Sequence, residues 1–289
     1  MIGVFDSGLG GLTILSELSK QFRNSEFIYF GDHARAPYGA RTAEQIYEYT
    51  RECVEKLFIM GCDLVVLACN TASTVALRRL QQEWLPLHWE GRRILGIVVP
   101  TIEEIAGRPW HSEKELRKTD FDSKVRTIGI FATSATVASQ YFPIEVAKRD
   151  ASIQLIQQAC PQLAGLIENG AEFSAIEREV EANVKSMMDM LNGVTLEKII
   201  LGCTHYALVE HAFLAVVPSD CVLLSQARIA SLSLKNYLHQ HPQLQGNQTP
   251  KPKLKLLTSG DAVLVSVLAS RFLGEVMQFV SLEVFKDAR

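Results

Sequence analysis

Much of what would announce a function is missing from this chain. No apolar run approaches the roughly 18 residues that span a bilayer, so no membrane association is expected. Basic residues are not in excess: 29 Lys and Arg stand against 32 Asp and Glu, a net charge of −3, which argues against a nucleic-acid partner held by a basic face. There is no Cys-x-x-Cys, and no His-x-x-x-His near a cysteine, so the spacing of a tetrahedral metal site is absent and no metal is expected. Six cysteines in 289 residues are too few for a disulfide framework. The N-terminus, MIGVFDSG, enters an apolar strand without a basic export segment, which points to the cytoplasm. In a reducing compartment a thiol is either a small buried hydrophobe or a reagent, and the question becomes which of the six are reagents.

What is present is an ordinary globular composition, 47% hydrophobic and 21% charged, at a length suggesting two domains. Short aliphatic runs at 2–5, 27–30, 64–68, 94–98, 127–131, 153–156, 198–201, 221–224 and 253–257 lack alternation, as strands buried on both faces do. Helical periodicity fits 12–22, 42–60, 72–82, 173–191, 229–238 and 262–272. This succession reads as α/β with mostly parallel sheets. The charged stretch 107–124 reads as an exposed excursion, and 239–252, with three prolines, as a surface loop.

The chain also echoes itself. LVVLACNTAS (64–73) matches KIILGCTHYA (198–207), which places Cys203 134 residues after Cys69. GVFDSG (3–8) matches GIFATS (129–134), 126 residues on. Two echoes in the same order suggest two similar α/β halves. Cys69 and Cys203 each fall at the C-terminal end of a predicted strand, just before a helix. Ligands in open α/β sheets bind at that edge, and a helix N-terminus there is expected to lower a thiol pKa. Their polar followers, Asn70–Thr71 and Thr204–His205, are poor core residues. The other four cysteines read as structural.

The loop FDSGLGG (5–11) offers backbone N–H groups to an anion, or is a tight turn in which Asp6 and Ser7 cap the next helix. It is neither a G-x-G-x-x-G nor a Walker pattern. The loop around Tyr38–Gly39 reads as an ordinary βα turn, and LTSGD (257–261) as a capped helix start. If the halves face each other, two thiols converge from opposite sides on one stereocentre, the arrangement that two-base racemisation requires. Asp6, at the end of the first predicted strand, and His205, two residues after Cys203, are the groups expected to tune or orient the two thiols.

GVFDSGLGGLTIL, GDHARAPYG, VLACNTAS, GIFATSATVAS, the Cys160–Pro161 segment ending at Glu168, LGCTHYALV and LTSGD occur in the order seen in bacterial glutamate racemases, which the chain resembles over residues 2 to about 270. The resemblance implies two pseudo-two-fold α/β domains, 1–97 plus 226–289 and 98–225, with the active site in the cleft between them. It implies a cofactor-independent enzyme, a homodimer, that supplies D-glutamate for peptidoglycan. Cys69 would serve the D-enantiomer, helped by Asp6, and Cys203 the L-enantiomer, helped by His205 and Glu168. Ser7, Tyr38, Gly39, Asn70, Thr71, Thr136 and Thr204 would contact substrate, with Asp32 and Thr133 in the surrounding shell. CNTAS and CTHY are the glutamate type rather than the aspartate type. Three features depart from the family pattern: His33 where Thr or Ser is usual, Ala207 where Pro is common, and 107–124, an apparent insertion. The readings that compete are a racemase of aspartate or another amino acid, an anion- or nucleotide-binding module with structural cysteines, and a cysteine hydrolase, which would leave one matched cysteine unexplained.

Overall fold

The computed structural model describes residues 1–107, 126–245 and 253–282. All nine expected strands form: β1 Ile2–Asp6, β2 Phe27–Gly31, β3 Leu64–Leu67, β4 Arg93–Gly96, β5 Arg126–Ala132, β6 Ile153–Ala159, β7 Lys198–Gly202, β8 Val222–Leu224 and β9 Leu254–Thr258. A tenth, β10 at Val280–Ser281, is only two residues long. Every pairing among them is parallel. The six-stranded sheet runs β10-β9-β2-β1-β3-β4 and the four-stranded sheet β6-β5-β7-β8. Without β9 and β10, the two orders correspond strand for strand. β1 matches β5 and β3 matches β7, which is the echo read from the sequence.

The strands lack alternation because both faces of each sheet are covered. Ile2 and Val4 of β1 and Ile128, Ile130 and Ala132 of β5 contribute to one shared core between the sheets. Phe5 turns to the opposite side, toward the helix Ala43–Ile59. Phe131 likewise meets the outer core that includes the helix Phe173–Leu191. After β8 the chain returns: the helix Gln226–Gln240 packs on Leu12–Gln21, and β9 joins β2.

Several local expectations need correction. The run expected as a strand over 94–98 leaves β at Gly96, and Val98 opens a helix, Val98–Ala106. The single helix expected over 72–82 is segmented into Asn70–Val75, Leu77–Arg79, a wide π turn at Leu80–Trp84, and Leu85–His88. Pro86 has no N–H to give to the helical ladder, and the wide turn immediately precedes it. The loop expected over 239–252 begins later, since Gln226–Gln240 carries the helix through 239 and 240 and Pro242–Leu244 adds a 3-10 turn. Residues 246–252, and all of the expected excursion except Gly107, lie outside the described residues.

Candidate active site

The carboxyl edges of the two sheets meet, and backbone approach makes the meeting possible. A Cβ on Gly10 would stand 2.3 Å from the His205 backbone nitrogen. One on Gly8 would stand 2.3 Å from Glu168 Oε2, and one on Gly39 2.5 Å from Thr133 Cβ. The loop after β1 and the Tyr38–Ala40 turn are therefore glycine-bearing because the other half of the molecule lies against them.

Cys69 and Cys203 occupy corresponding places, one following β3 and the other β7, each directly before a short helix. Both are buried. Cys69 Sγ accepts the Ala72 N–H at 3.4 Å and lies 3.5 Å from Ser7 Oγ. Ser7 also reaches Asp6: its N–H donates to Oδ1 at 2.6 Å and its hydroxyl at 3.4 Å. The second Asp6 oxygen accepts the Thr204 hydroxyl at 2.9 Å. Asp6 thus sits between the Cys69 side and the segment that follows Cys203, and it does not cap the next helix, whose N-cap is Gly11. That corrects the capping alternative.

On the other side, Cys203 Sγ lies 3.7 Å from His205 Nδ1, and the far nitrogen of His205, Nε2, is hydrogen-bonded to Glu168 Oε2. The same carboxylate oxygen accepts the Leu9 N–H at 3.2 Å. Cys203, His205 and Glu168 therefore form a line that ends on the loop after β1.

Burial pushes the Cys69 thiol up to about 12, and the neighbouring Asp6 adds to the rise. The expected lowering by a helix N-terminus is overturned at Cys69: one N–H bond to Ala72 does not offset desolvation of the thiolate. Burial likewise raises Asp6, against the opposing charge of His205. Burial works against a charged His205, but the Glu168 carboxylate outweighs it and holds the imidazole well above its ordinary value. Glu168 is held low in turn: its own burial is overcome by His205. The two sides thus differ. A protonated thiol beside a carboxyl faces the site from one sheet, and a sulfur beside an imidazolium–carboxylate pair faces it from the other.

The remaining candidates divide. Thr71 joins the halves, its hydroxyl 2.9 Å from Thr133 Oγ1 and 3.2 Å from Thr136 Oγ1. Asp32 is already satisfied by Arg35 Nε and the Tyr38 hydroxyl, each at 2.5 Å, and by the Ser259 hydroxyl at 2.6 Å. Tyr38 therefore spends its hydroxyl on Asp32. The Asn70 amide is taken at both ends by Gln226, at 2.8 and 3.0 Å, and Gln226 is braced by Thr101. Gln226 and Thr101 carry no sequence signal beyond being polar within or beside predicted elements, whereas Arg35 and Ser259 fall inside the GDHARAPYG and LTSGD segments without being singled out there. Asp261 caps its helix as expected, accepting from Val263 and Leu264. Among the described residues no group of three or more His, Cys, Asp and Glu is placed to hold a metal, and no helix is long and apolar enough to cross a membrane.

Comparison with known proteins adds to this geometry. Residues 2–224 match the family model described as Asp/Glu/hydantoin racemase. The glutamate racemase of Phenylobacterium zucineum is 40% identical over 282 residues, covering 96% of this chain and 98% of that protein. Among solved structures, the glutamate racemase isoform RacE1 of Bacillus anthracis aligns with a TM-score of 0.82 at 28% identity, covering 98% of this chain and 97% of that one. The glutamate racemase of Francisella tularensis, solved with D-glutamate, aligns with a TM-score of 0.79 at 25% identity over 100% of this chain and 98% of that one.

Proposed function

This chain belongs to the Asp/Glu/hydantoin racemase family, and on that premise we propose that it interconverts L- and D-glutamate with two cysteines and no cofactor. The observation that carries the reading is the correspondence of Cys69 and Cys203: each ends a matched strand of one of two matched sheets, and the sheet edges bearing them meet. Glutamate, rather than aspartate, is favoured by the relatives, which are glutamate racemases over nearly their whole length.

In the direction from L to D, Cys203 as thiolate takes the Cα hydrogen as a proton and becomes a thiol. The electron pair of the C–H bond remains on Cα and spreads into the carboxylate. Cys69, held protonated by burial and by Asp6, delivers its proton to the opposite face and is left as thiolate. In the reverse direction the roles exchange. Two groups are needed because a planar carbanion held in place presents its faces to opposite walls of the site. His205, charged through Glu168, faces the sulfur that must carry negative charge. Asp6 is the acceptor nearest the Cys69 side, reached through Ser7. Ser7, Gly39, Thr71, Thr136 and Thr204 are the proposed substrate contacts, with Tyr38, whose hydroxyl is engaged by Asp32, contributing through its backbone N–H. The Asn70 side chain is engaged elsewhere, so its contribution would come from its backbone N–H.

On this reading residues 1–97 with 226–289 form one domain and 98–225 the other. The product serves peptidoglycan synthesis in the cytoplasm, and the enzyme is a homodimer. The test is polarimetric. L-glutamate incubated with the purified chain and no additive is expected to lose its circular dichroism to zero, and L-aspartate to keep its signal. Decay with aspartate and not glutamate would assign the chain to the neighbouring specificity, and no decay with any amino acid would refute the reading.

A further inference from the structure

Tyr29 has no place in the two-base scheme, yet its hydroxyl ends against the loop after β1. The residue lies on β2, fully buried in the core that the two sheets share. Its O–H donates to the Gly8 carbonyl at 2.5 Å. That carbonyl belongs to the same peptide unit as the Leu9 N–H, which donates to Glu168 Oε2 at 3.2 Å. The same carboxylate oxygen meets His205 Nε2, and His205 Nδ1 lies 3.7 Å from Cys203 Sγ. Glycines leave room for the peptide at both ends: a Cβ on Gly8 would stand 2.3 Å from Glu168 Oε2, and one on Gly31 would stand 3.1 Å from the Gly8 oxygen.

We propose that Tyr29 is a positioning residue for the Cys203 side of the site, acting through the Gly8–Leu9 peptide, which it holds with the Leu9 N–H aimed at Glu168. The inference rests on the proposed roles of Cys203, His205 and Glu168.

The direction of both bonds is fixed by their partners. A carbonyl and a carboxylate only accept, so the Tyr29 hydroxyl and the Leu9 amide are the donors. A trans peptide is planar, with its C=O and N–H pointing opposite ways, so anchoring the oxygen aims the hydrogen. Donation to the oxygen also polarises the amide and makes its N–H a stronger donor. Burial holds the Tyr29 phenol well above its ordinary value, and Asp6 and Glu168 add to the rise, so the group stays a donor. The titratable groups that face Glu168 are His205 from the helix Thr204–Ala207, His33 after β2 at 3.7 Å, Asp6 from β1 and Tyr29 from β2. Burial raises the Glu168 carboxyl, but His205 and His33 outweigh it, and the Leu9 N–H lowers the carboxyl further. Without the Tyr29 hydroxyl the peptide loses the anchor on its oxygen and the Leu9 bond weakens. The carboxyl then moves back up toward its ordinary 4.5, and the imidazole that faces Cys203 is held by a less firmly placed partner.

The test joins NMR of the substrate-free enzyme to kcat/KM for glutamate, in the wild type, Tyr29→Phe, Tyr29→3-fluorotyrosine and Leu238→Ala. Tyr29→Phe deletes the hydroxyl alone. The fluorinated ring keeps the hydroxyl and makes it a stronger donor, which keeps the test alive if the phenylalanine variant does not fold. Leu238→Ala thins the same core from the helix Gln226–Gln240 and leaves the hydroxyl in place. In Tyr29→Phe the Leu9 amide proton should move upfield, and the Glu168 carboxyl should titrate about half a pH unit higher. Its kcat/KM should fall about three- to tenfold, the scale of one neutral hydrogen bond and less than the ~10²–10⁴-fold of a group that itself moves the proton. The fluorinated variant should displace both NMR signals the opposite way, and Leu238→Ala should lower Tm while moving neither. The proposal is overturned if Tyr29→Phe leaves both signals where the wild type has them, if the fluorinated variant shifts them in the same direction as Phe, if Leu238→Ala reproduces the Phe shifts, or if racemisation is unaffected by the Phe change. Cys203→Ser, run alongside, separates the two failures: if it still racemises glutamate, the reading of the site is wrong whatever Tyr29 does.

Discussion

Replacing either Cys69 or Cys203 by serine is expected to lower kcat/KM for racemisation by about 10²–10⁴-fold, the usual contribution of a positioned acid or base, and by the same factor for both enantiomers. The equality is thermodynamic. L- and D-glutamate have equal free energies in an achiral solvent, so the equilibrium constant is one and the ratio of forward to reverse kcat/KM cannot change. Damage to one side of the site therefore cannot appear as a one-directional enzyme, however different Cys69 and Cys203 are in surroundings. A serine hydroxyl is a far weaker acid than a thiol, so it neither forms the needed anion nor yields its proton to the carbanion. Dichroism followed from each enantiomer measures both rates. Full activity in either variant would remove the second base from the scheme.

Glu168→Gln should have the second largest effect, about 10²-fold in kcat/KM and about 1.5–3 kcal/mol in stability, the scale of a hydrogen bond to a charged group. The carboxylate is nearly buried and accepts from the Leu9 N–H while bonded to His205. Its stability contribution depends on pH in a definite sense. Glu168 is held below its ordinary 4.5, so its share is present above that value and fades as pH falls through the lowered one. His205 is held above its ordinary 6.5, so its share is complete below 6.5 and fades as pH rises through the raised one. The pair is therefore worth most between about 4.5 and 6.5. In the glutamine variant, burial of His205 is no longer outweighed, and its charge becomes unfavourable in that same range. Denaturant unfolding of wild type and variant at pH 5.5 and at alkaline pH should show the larger gap at 5.5. An equal gap at both would mean that His205 is uncharged in the folded protein.

The strands were legible from sequence because both faces of each sheet are covered, which leaves uninterrupted aliphatic runs such as Leu64–Leu67 and Lys198–Gly202. Short helices were not. Leu163–Glu168 and Thr204–Ala207 complete less than two turns, too few for a periodicity to emerge. Val98–Ala106 starts in an aliphatic run continuous with β4 and so reads as more strand. Within the site, the cysteines and their polar followers were visible because they interrupt apolar runs at strand ends. What local sequence could not supply was partnership. Asp6 meets Thr204 and Asn70 meets Gln226 across 198 and 156 residues, and nothing near Asn70 tells that its amide is already committed. The thiol acidity was misjudged at Cys69 for a related reason: the helix start is local and readable, whereas the burial that outweighs it is a property of the assembled fold.

The central claim is that each face of Cα is served by its own thiol, and solvent isotope incorporation tests it most directly. L-glutamate is incubated with the wild-type chain in heavy water and sampled at low conversion. The D-glutamate formed should carry deuterium at Cα, because its new hydrogen comes from Cys69, whose proton is drawn from solvent. The L-glutamate that remains should carry almost none, because Cys203 returns the hydrogen it took. Deuterium appearing equally in both enantiomers from the outset, or unlabelled D-glutamate, would contradict the account.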